Sequence, residues 1–208
     1  DYINRHRKDH IITIEDPIEF VHQKKNCLIN QREVHVHTKS FANALRAALR
    51  EDPDIVLVGE MRDLETIALA LKAAEMGMLV FGTLHTNSAA KTIDRLIDVF
   101  PADEQPQARL SLADSLAAIV AQLLVPRAGG AGRVAVHEIL LKTPALPNLI
   151  RESSISMLTN LMQAGRSEGM QLLDDALLDL VTRKIVTPRD AYMKASDKSR
   201  FEPLLEGE

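Results

Sequence analysis

Apolar and polar residues switch between two rhythms along this chain of 208 residues. The run His10-Ile11-Ile12-Thr13-Ile14 is β-branched and stops at Glu15-Asp16-Pro17, which predicts a buried strand ending in an acidic turn. A second extended stretch is predicted over residues 27–36. From residue 40 to 51, Phe41, Leu45, Ala48 and Leu49 fall at helical spacing, and Pro53 blocks continuation. Ile55-Val56-Leu57-Val58 has no polar position and reads as a central strand covered on both faces. Asp63 is placed to cap a helix running to Met76, with Gly77 as its stop. Leu79-Val80-Phe81 opens another buried strand ending at His85, and Ser88 can cap a helix to Phe100. A longer helix is predicted over residues 104–124, ended by Pro126 and the Gly-rich turn at 129–132, and residues 133–141 alternate like a strand.

Strands alternating with helices imply an α/β core with a mostly parallel sheet and helices on both faces. After Thr143 the rhythm is helical alone, with pieces at 145–151, 155–164, 170–184 and 188–195. The expected division is therefore an α/β domain over residues 1–142 and a small all-helical subdomain over 143–208. The polar tail after Ser196 is expected to fray.

Composition narrows the classes. Apolar residues make up 46% and charged residues 26%, as in ordinary globular domains. A net charge of −4 gives no basic field for nucleic acid, and no Trp is present for base stacking. The single Cys27 excludes an internal disulfide and a multi-cysteine zinc site. No apolar run approaches the ~18 residues of a membrane span. The chain opens Asp1-Tyr2-Ile3-Asn4 without an initiator Met, so it reads as the downstream part of something longer.

Three clusters carry possible chemistry. The strand 55–58 delivers Gly59 and Glu60 at its C-terminal end, the edge where open α/β sheets bind ligands. Gly59 permits close approach of a backbone or ligand. Glu60 could orient a water on a γ-phosphate or hold Mg²⁺ through its water shell, or it could simply cap the next helix. In Glu15-Asp16-Pro17-Ile18-Glu19-Phe20, the carboxylates Glu15, Asp16 and Glu19 crowd one turn. Either they surround a positive group, Mg²⁺ or an arginine, or they form a solvated acidic turn. His85 ends the third strand, as a phosphate sensor or a structural imidazole. Arg95 on the following helix either points into a phosphate site, its own or a neighbour's, or is solvated. Three strand ends bearing acid, acid and imidazole would meet on one sheet edge, the layout of a nucleotide hydrolase.

These segments resemble the motor ATPases of secretion systems and type IV pili, in particular their twitching-motility retraction branch. Glu15 to Phe20 looks like the family's aspartate box. Leu49 to Asp63 looks like its Walker B signature, and Leu79 to Arg95 like its histidine box. Asn148-Leu149-Ile150-Arg151-Glu152 resembles a motif linked there to retraction. The resemblance implies a RecA-like ATPase core working as a hexameric ring, with ATP and Mg²⁺ as cofactors. It further implies an N-terminal PAS-like domain closing over each site, a place at the cytoplasmic face of the inner membrane, and the pilus platform and assembly machinery as partners. By position, Glu60 matches the Walker B glutamate and Glu19 the glutamate that polarises the attacking water. His85 matches the second histidine of its box, and Arg95 an arginine near the nucleotide. Glu15, Asp16, Gly59 and Arg62 are assigned to nucleotide binding, and no residue is assigned as a direct metal ligand.

The chain departs from the family pattern in three places. It contains no Gly-x-x-x-x-Gly-Lys-[Ser/Thr], the loop whose backbone N–H groups and Lys cradle phosphates, so these 208 residues alone are expected to be inactive. Met78 stands where the histidine box has its first histidine, and Leu146-Pro147 stands where the retraction motif reads Ile-Arg. Two other readings share the fold: a type II secretion or pilus-extension ATPase, and a non-catalytic ring subunit. The extension type commonly carries a four-cysteine zinc insertion, which a chain with one cysteine cannot build.

Overall fold

A computed structural model of the chain describes residues 1–130 and 132–205. Two compact units emerge: Asp1–His85 with Leu96–Ser115, and Thr86–Arg95 with residues 116 onward. Helix α4 (Ala89–Asp98) runs across the division.

The first unit is built on a four-stranded, wholly parallel sheet in the order β2-β1-β3-β4. β1 (His10–Glu15) and β3 (Ile55–Val58) lie at its centre. Their lack of a polar face follows from that place: Ile12, Ile14, Val56 and Val58 are fully buried. β2 (Leu28–Glu33) forms one edge and β4 (Leu79–Gly82) the other. The strand expected to be buried before His85 is thus an edge strand, with Leu79 and Phe81 40% and 44% exposed. Apolar runs cannot by themselves separate an edge from a centre.

Helices begin and end where the caps predict. After the short α1 (Tyr2–His6), α2 (Phe41–Ala48) starts behind Ser40, whose hydroxyl accepts from Asn43 N at 3.1 Å. It stops three residues short of the expected end. α3 (Leu64–Glu75) starts behind Asp63, whose carboxylate accepts from Thr66 N and Thr66 Oγ1, both at 2.9 Å. It stops at Gly77, where φ is +95°. Leu45 and Ala48 of α2 and Ala70 of α3 pack into the core beneath the sheet.

The expected helix over 104–124 breaks in two. α5 (Gln105–Ser115) is helical, but Ala118–Pro126 is β5, antiparallel to β6 (Arg133–Leu141) in a separate two-stranded sheet. Exposed and buried positions alternate along β5, yet the exposed ones include Val120 and Leu124. With apolar residues on both faces, the period of two is invisible in the sequence. β6 accordingly pairs with β5 rather than with the parallel sheet.

The second unit therefore holds a hairpin as well as helices, and its division from the first differs from the boundary expected at 142/143. Val125 and Val136 of the hairpin pack on Leu173, Leu177 and Leu180 of the helix Leu173–Thr182. The same unit holds the helices Leu146–Arg151, Leu158–Ala164, Pro188–Lys194 and Glu202–Leu205. Pro147 sits in the first turn of its helix, where no intrahelical N–H is lost. The tail does not fray over its described part. Asp174, almost buried, accepts from Ser196 N and Asp197 N at 2.8 Å each, and Phe201 is completely buried in the same core. Residues 206–208 of the expected frayed tail lie outside the described residues. Among the described residues, no helix is long and apolar enough to cross a membrane.

Phe201→Ala should destabilise the chain by about 3–5 kcal/mol, the cost of emptying a buried aromatic site. A urea unfolding midpoint unchanged by the substitution would show that the tail is not part of the folded core.

Candidate active site

Parallel pairing brings the C-terminal ends of β1, β3 and β4 side by side, because Ile14 lies against Val58 and Val58 against Gly82. The chain leaves these ends as Glu15-Asp16, Gly59-Glu60 and Thr83 to His85. Gly59 N donates to Ile14 O at 2.7 Å. A Cβ at Gly59 would stand 2.9 Å from that oxygen and 3.2 Å from Glu15 Cα. The close neighbour that requires this glycine is thus the backbone of β1. Thr83, unremarked in the sequence, ties the third strand end to the second through its hydroxyl, which donates to Gly59 O.

Glu60 is the centre of the cluster. Its side chain is 16% exposed, and Oε1 contacts Arg62 Nε and lies 2.6 Å from His85 Nε2. Neither contact meets hydrogen-bond geometry, and the one with His85 is an ion pair only when the imidazole is protonated. Oε1 is a buried acceptor without a donor among the described residues. The Arg62 guanidinium is the largest influence on Glu60 and holds its carboxyl below the usual range; burial opposes this, and the His85 imidazole adds to it. Arg62 is raised in turn, chiefly by Glu60 and also by Asp16. The positive group expected among the acidic residues is therefore Arg62 for Asp16 and Glu60. Nothing in the sequence singled out that pairing, because an i, i+2 contact just past a strand has no pattern of its own.

The remaining assigned residues fall into three situations. Glu15 is held in place, accepting from Thr13 Oγ1 at 2.6 Å and Gln31 Nε2 at 3.0 Å. Glu19 is exposed on the loop after β1, with no hydrogen-bond or ion-pair partner among the described residues. Arg95 lies in the second unit, exposed on α4 and likewise without a described partner. The start of α4 is held by Glu138, which the sequence reading passed over. Its Oε1 accepts from Ala89 N at 2.7 Å. Met78, at the opposite end of β4 from His85, packs partly buried against the core.

A carboxylate beside the Arg62 guanidinium stays ionised and is a weak base. It is suited to attracting a cation's water shell and to placing fixed charge, and poorly suited to taking a proton. Among the described residues no three His, Cys, Asp or Glu side chains gather as a metal cage. A magnesium ion held through phosphates and waters needs no such cage, and the Glu60 carboxylate at the end of β3 is the group that would meet its water shell. The phosphate cradle itself has no counterpart in these residues.

Comparison with known proteins is consistent throughout. The chain belongs to the type II/IV secretion system protein family, whose model matches residues 1–192. It is 57% identical over 201 residues, 97% of its length, to the type IV pilus retraction ATPase PilT of Pseudomonas aeruginosa. It is also 57% identical over 197 residues, 95% of its length, to a twitching motility protein of Neisseria gonorrhoeae. The crystal structure of the pilus retraction motor PilT with bound ADP superposes with a TM-score of 0.89 at 49% identity, covering 98% of this chain and 57% of that one. The chain spans 58% and 53% of the lengths of the two curated relatives.

Arg62→Ala should raise the pKa of Glu60, since the largest charge depressing it is removed. Titration of the Glu60 carboxyl by NMR reads this directly, and an unchanged value would show that the ion pair does not persist in solution. The sign for stability follows. A carboxyl depressed on folding contributes stability above its unfolded pKa and loses it as the pH falls through the depressed value.

Proposed function

We propose that this chain is the C-terminal part of a motor ATPase that couples ATP hydrolysis to retraction of type IV pili. The observation that carries the reading is the Glu60 carboxylate at the C-terminal end of a central parallel strand, contacted by Arg62 and His85, in a chain 57% identical to a pilus retraction ATPase. In the intact protein the core is RecA-like, a Gly-rich loop upstream of Asp1 cradles the phosphates, and the subunits close into a hexameric ring. The ring works at the cytoplasmic face of the inner membrane, on the pilus platform and assembly machinery. Bound Mg²⁺ supplies charge neutralisation on the phosphates.

The roles divide by electrostatics. Glu60, drained by Arg62 and His85, acts as fixed negative charge toward a metal-bound water. Glu19, with no partner among the described residues, is the carboxylate that polarises the attacking water. His85, 84% exposed on its side chain, presents its imidazole from the neighbouring strand end, and Glu15, Asp16, Gly59 and Arg62 shape the floor of the site. Arg95, on α4, acts on a phosphate group, its own subunit's or a neighbour's. Retention of Glu19, Glu60 and His85 favours this over a non-catalytic ring subunit, and the single cysteine favours it over the zinc-bearing extension type.

In the full-length protein, Glu19→Ala and Glu60→Gln should slow single-turnover hydrolysis while leaving nucleotide affinity largely intact. A positioned base is worth roughly 10²–10⁴ in rate. Arg95→Ala should also slow turnover. Parent rates in the two carboxylate variants would refute the site, and joint loss of binding and fold would make these carboxylates structural.

Residues 1–208 alone should release no phosphate above a Glu60→Gln control, because the cradle is missing. They should also sediment as monomers or weak associations, since a ring closes only when both complementary patches are present. Steady magnesium-dependent turnover, or a stable hexamer, would contradict these expectations.

A further inference from the structure

Glu19 sits on a loop, and a loop side chain works in turnover only if something fixes its backbone. Edge strand β2 supplies that hold. Its alternate residues Gln31 and Glu33 share one face, and both reach the loop. Glu33 Oε2 accepts from Ile18 N at 3.1 Å, immediately before Glu19. Gln31 does more. Its Oε1 accepts from His22 N at 2.7 Å, and its Nε2 donates to Phe20 O at 2.9 Å and to Glu15 Oε1 at 3.0 Å.

One amide thus grips the loop on the C-terminal side of Glu19 at two backbone groups and holds the carboxylate at the loop's root. The amide orientation is set by its partners: a backbone N–H must meet the oxygen, and a carbonyl and a carboxylate must meet the NH₂. No other natural side chain of this length both accepts and donates twice. Leucine keeps the volume and loses all three bonds. Glutamate keeps the acceptor for His22 N, loses both donors and adds a charge beside Glu15 and Glu33.

We propose that Gln31 is a positioning residue for turnover, acting through Glu19 by clamping residues 18–22 to β2. This rests on the reading of Glu19 as the residue that polarises the attacking water. All three described bonds of the Gln31 amide go to the loop and its root, so the clamp serves the rate and not the affinity. Displacing a catalytic group by about 1 Å can cost 10²-fold.

The test is made on the full-length protein, with Mg²⁺-ATP affinity, single-turnover rate and melting temperature measured for Gln31→Leu, Gln31→Glu, Glu19→Ala and the double variant Gln31→Leu/Glu19→Ala. Gln31→Leu and Gln31→Glu should lower the rate by between about tenfold and 10²-fold with affinity unchanged. The double variant should be no slower than Glu19→Ala, because a clamp with nothing to position has no further effect. If Gln31→Leu fails to fold, Gln31→Glu, which keeps the His22 contact, carries the same comparison with its own Glu19→Ala double. A Gln31 defect that multiplies with that of Glu19→Ala, or appears as lost affinity, would overturn the proposal. So would a parent rate in the Gln31 variants beside a slow Glu19→Ala. A parent rate in Glu19→Ala itself would instead overturn the reading of Glu19, and the proposal with it.

Discussion

The contact of Glu60 with Arg62 and His85 depends on the parallel sheet, and the chemistry proposed for the chain depends on that contact. Three strands must point the same way and lie side by side for Asp16, Glu60 and His85 to reach one edge. Gly59 must lack a side chain for β3 to leave the sheet so close to β1. With that geometry, a carboxylate that would otherwise be an ordinary acid becomes a fixed charge, held ionised by Arg62 first and His85 second. Such a group does not exchange protons readily. On the proposed reading the attacking water is therefore polarised by Glu19, which has no partner among the described residues, and not by Glu60.

Most of the core was legible in the sequence, and the reasons are local. Ser40, Asp63 and Gly77 mark helix ends through hydrogen bonds or backbone angles confined to a few residues, so their signals survive in one dimension. The all-apolar runs of β1 and β3 announce burial on both faces. What failed were distinctions that need the third dimension. β4 has the composition of a central strand and lies at an edge. β5 has apolar residues on its exposed face as well as its buried one, so its alternation vanished and a helix was expected. Phe201 is one aromatic in a polar tail, and it is buried among hairpin and helix residues distant in sequence.

The site was legible in the same uneven way. Glu60 and His85 were marked by their place at strand ends. The residues that hold the surrounding backbone were not: Thr83, Gln31 and Glu138 act through hydrogen bonds to backbone atoms distant in sequence. Polar residues of this kind look like solvated surface until the strands are paired. Gln31 holds the loop that carries Glu19, and Glu138 holds the start of α4.

The central claim is that nucleotide chemistry takes place at this edge, with Glu60 acting on a water and not on the phosphates directly. The most direct measurement is a crystal structure of the full-length protein with Mg²⁺ and a non-hydrolysable ATP analogue. The account predicts the γ-phosphate over the C-terminal ends of β1, β3 and β4, with a single water or metal-bound water between it and Glu60. A nucleotide bound away from this edge, or Glu60 still fully occupied by Arg62 and His85 with no water reaching Oε1, would contradict it.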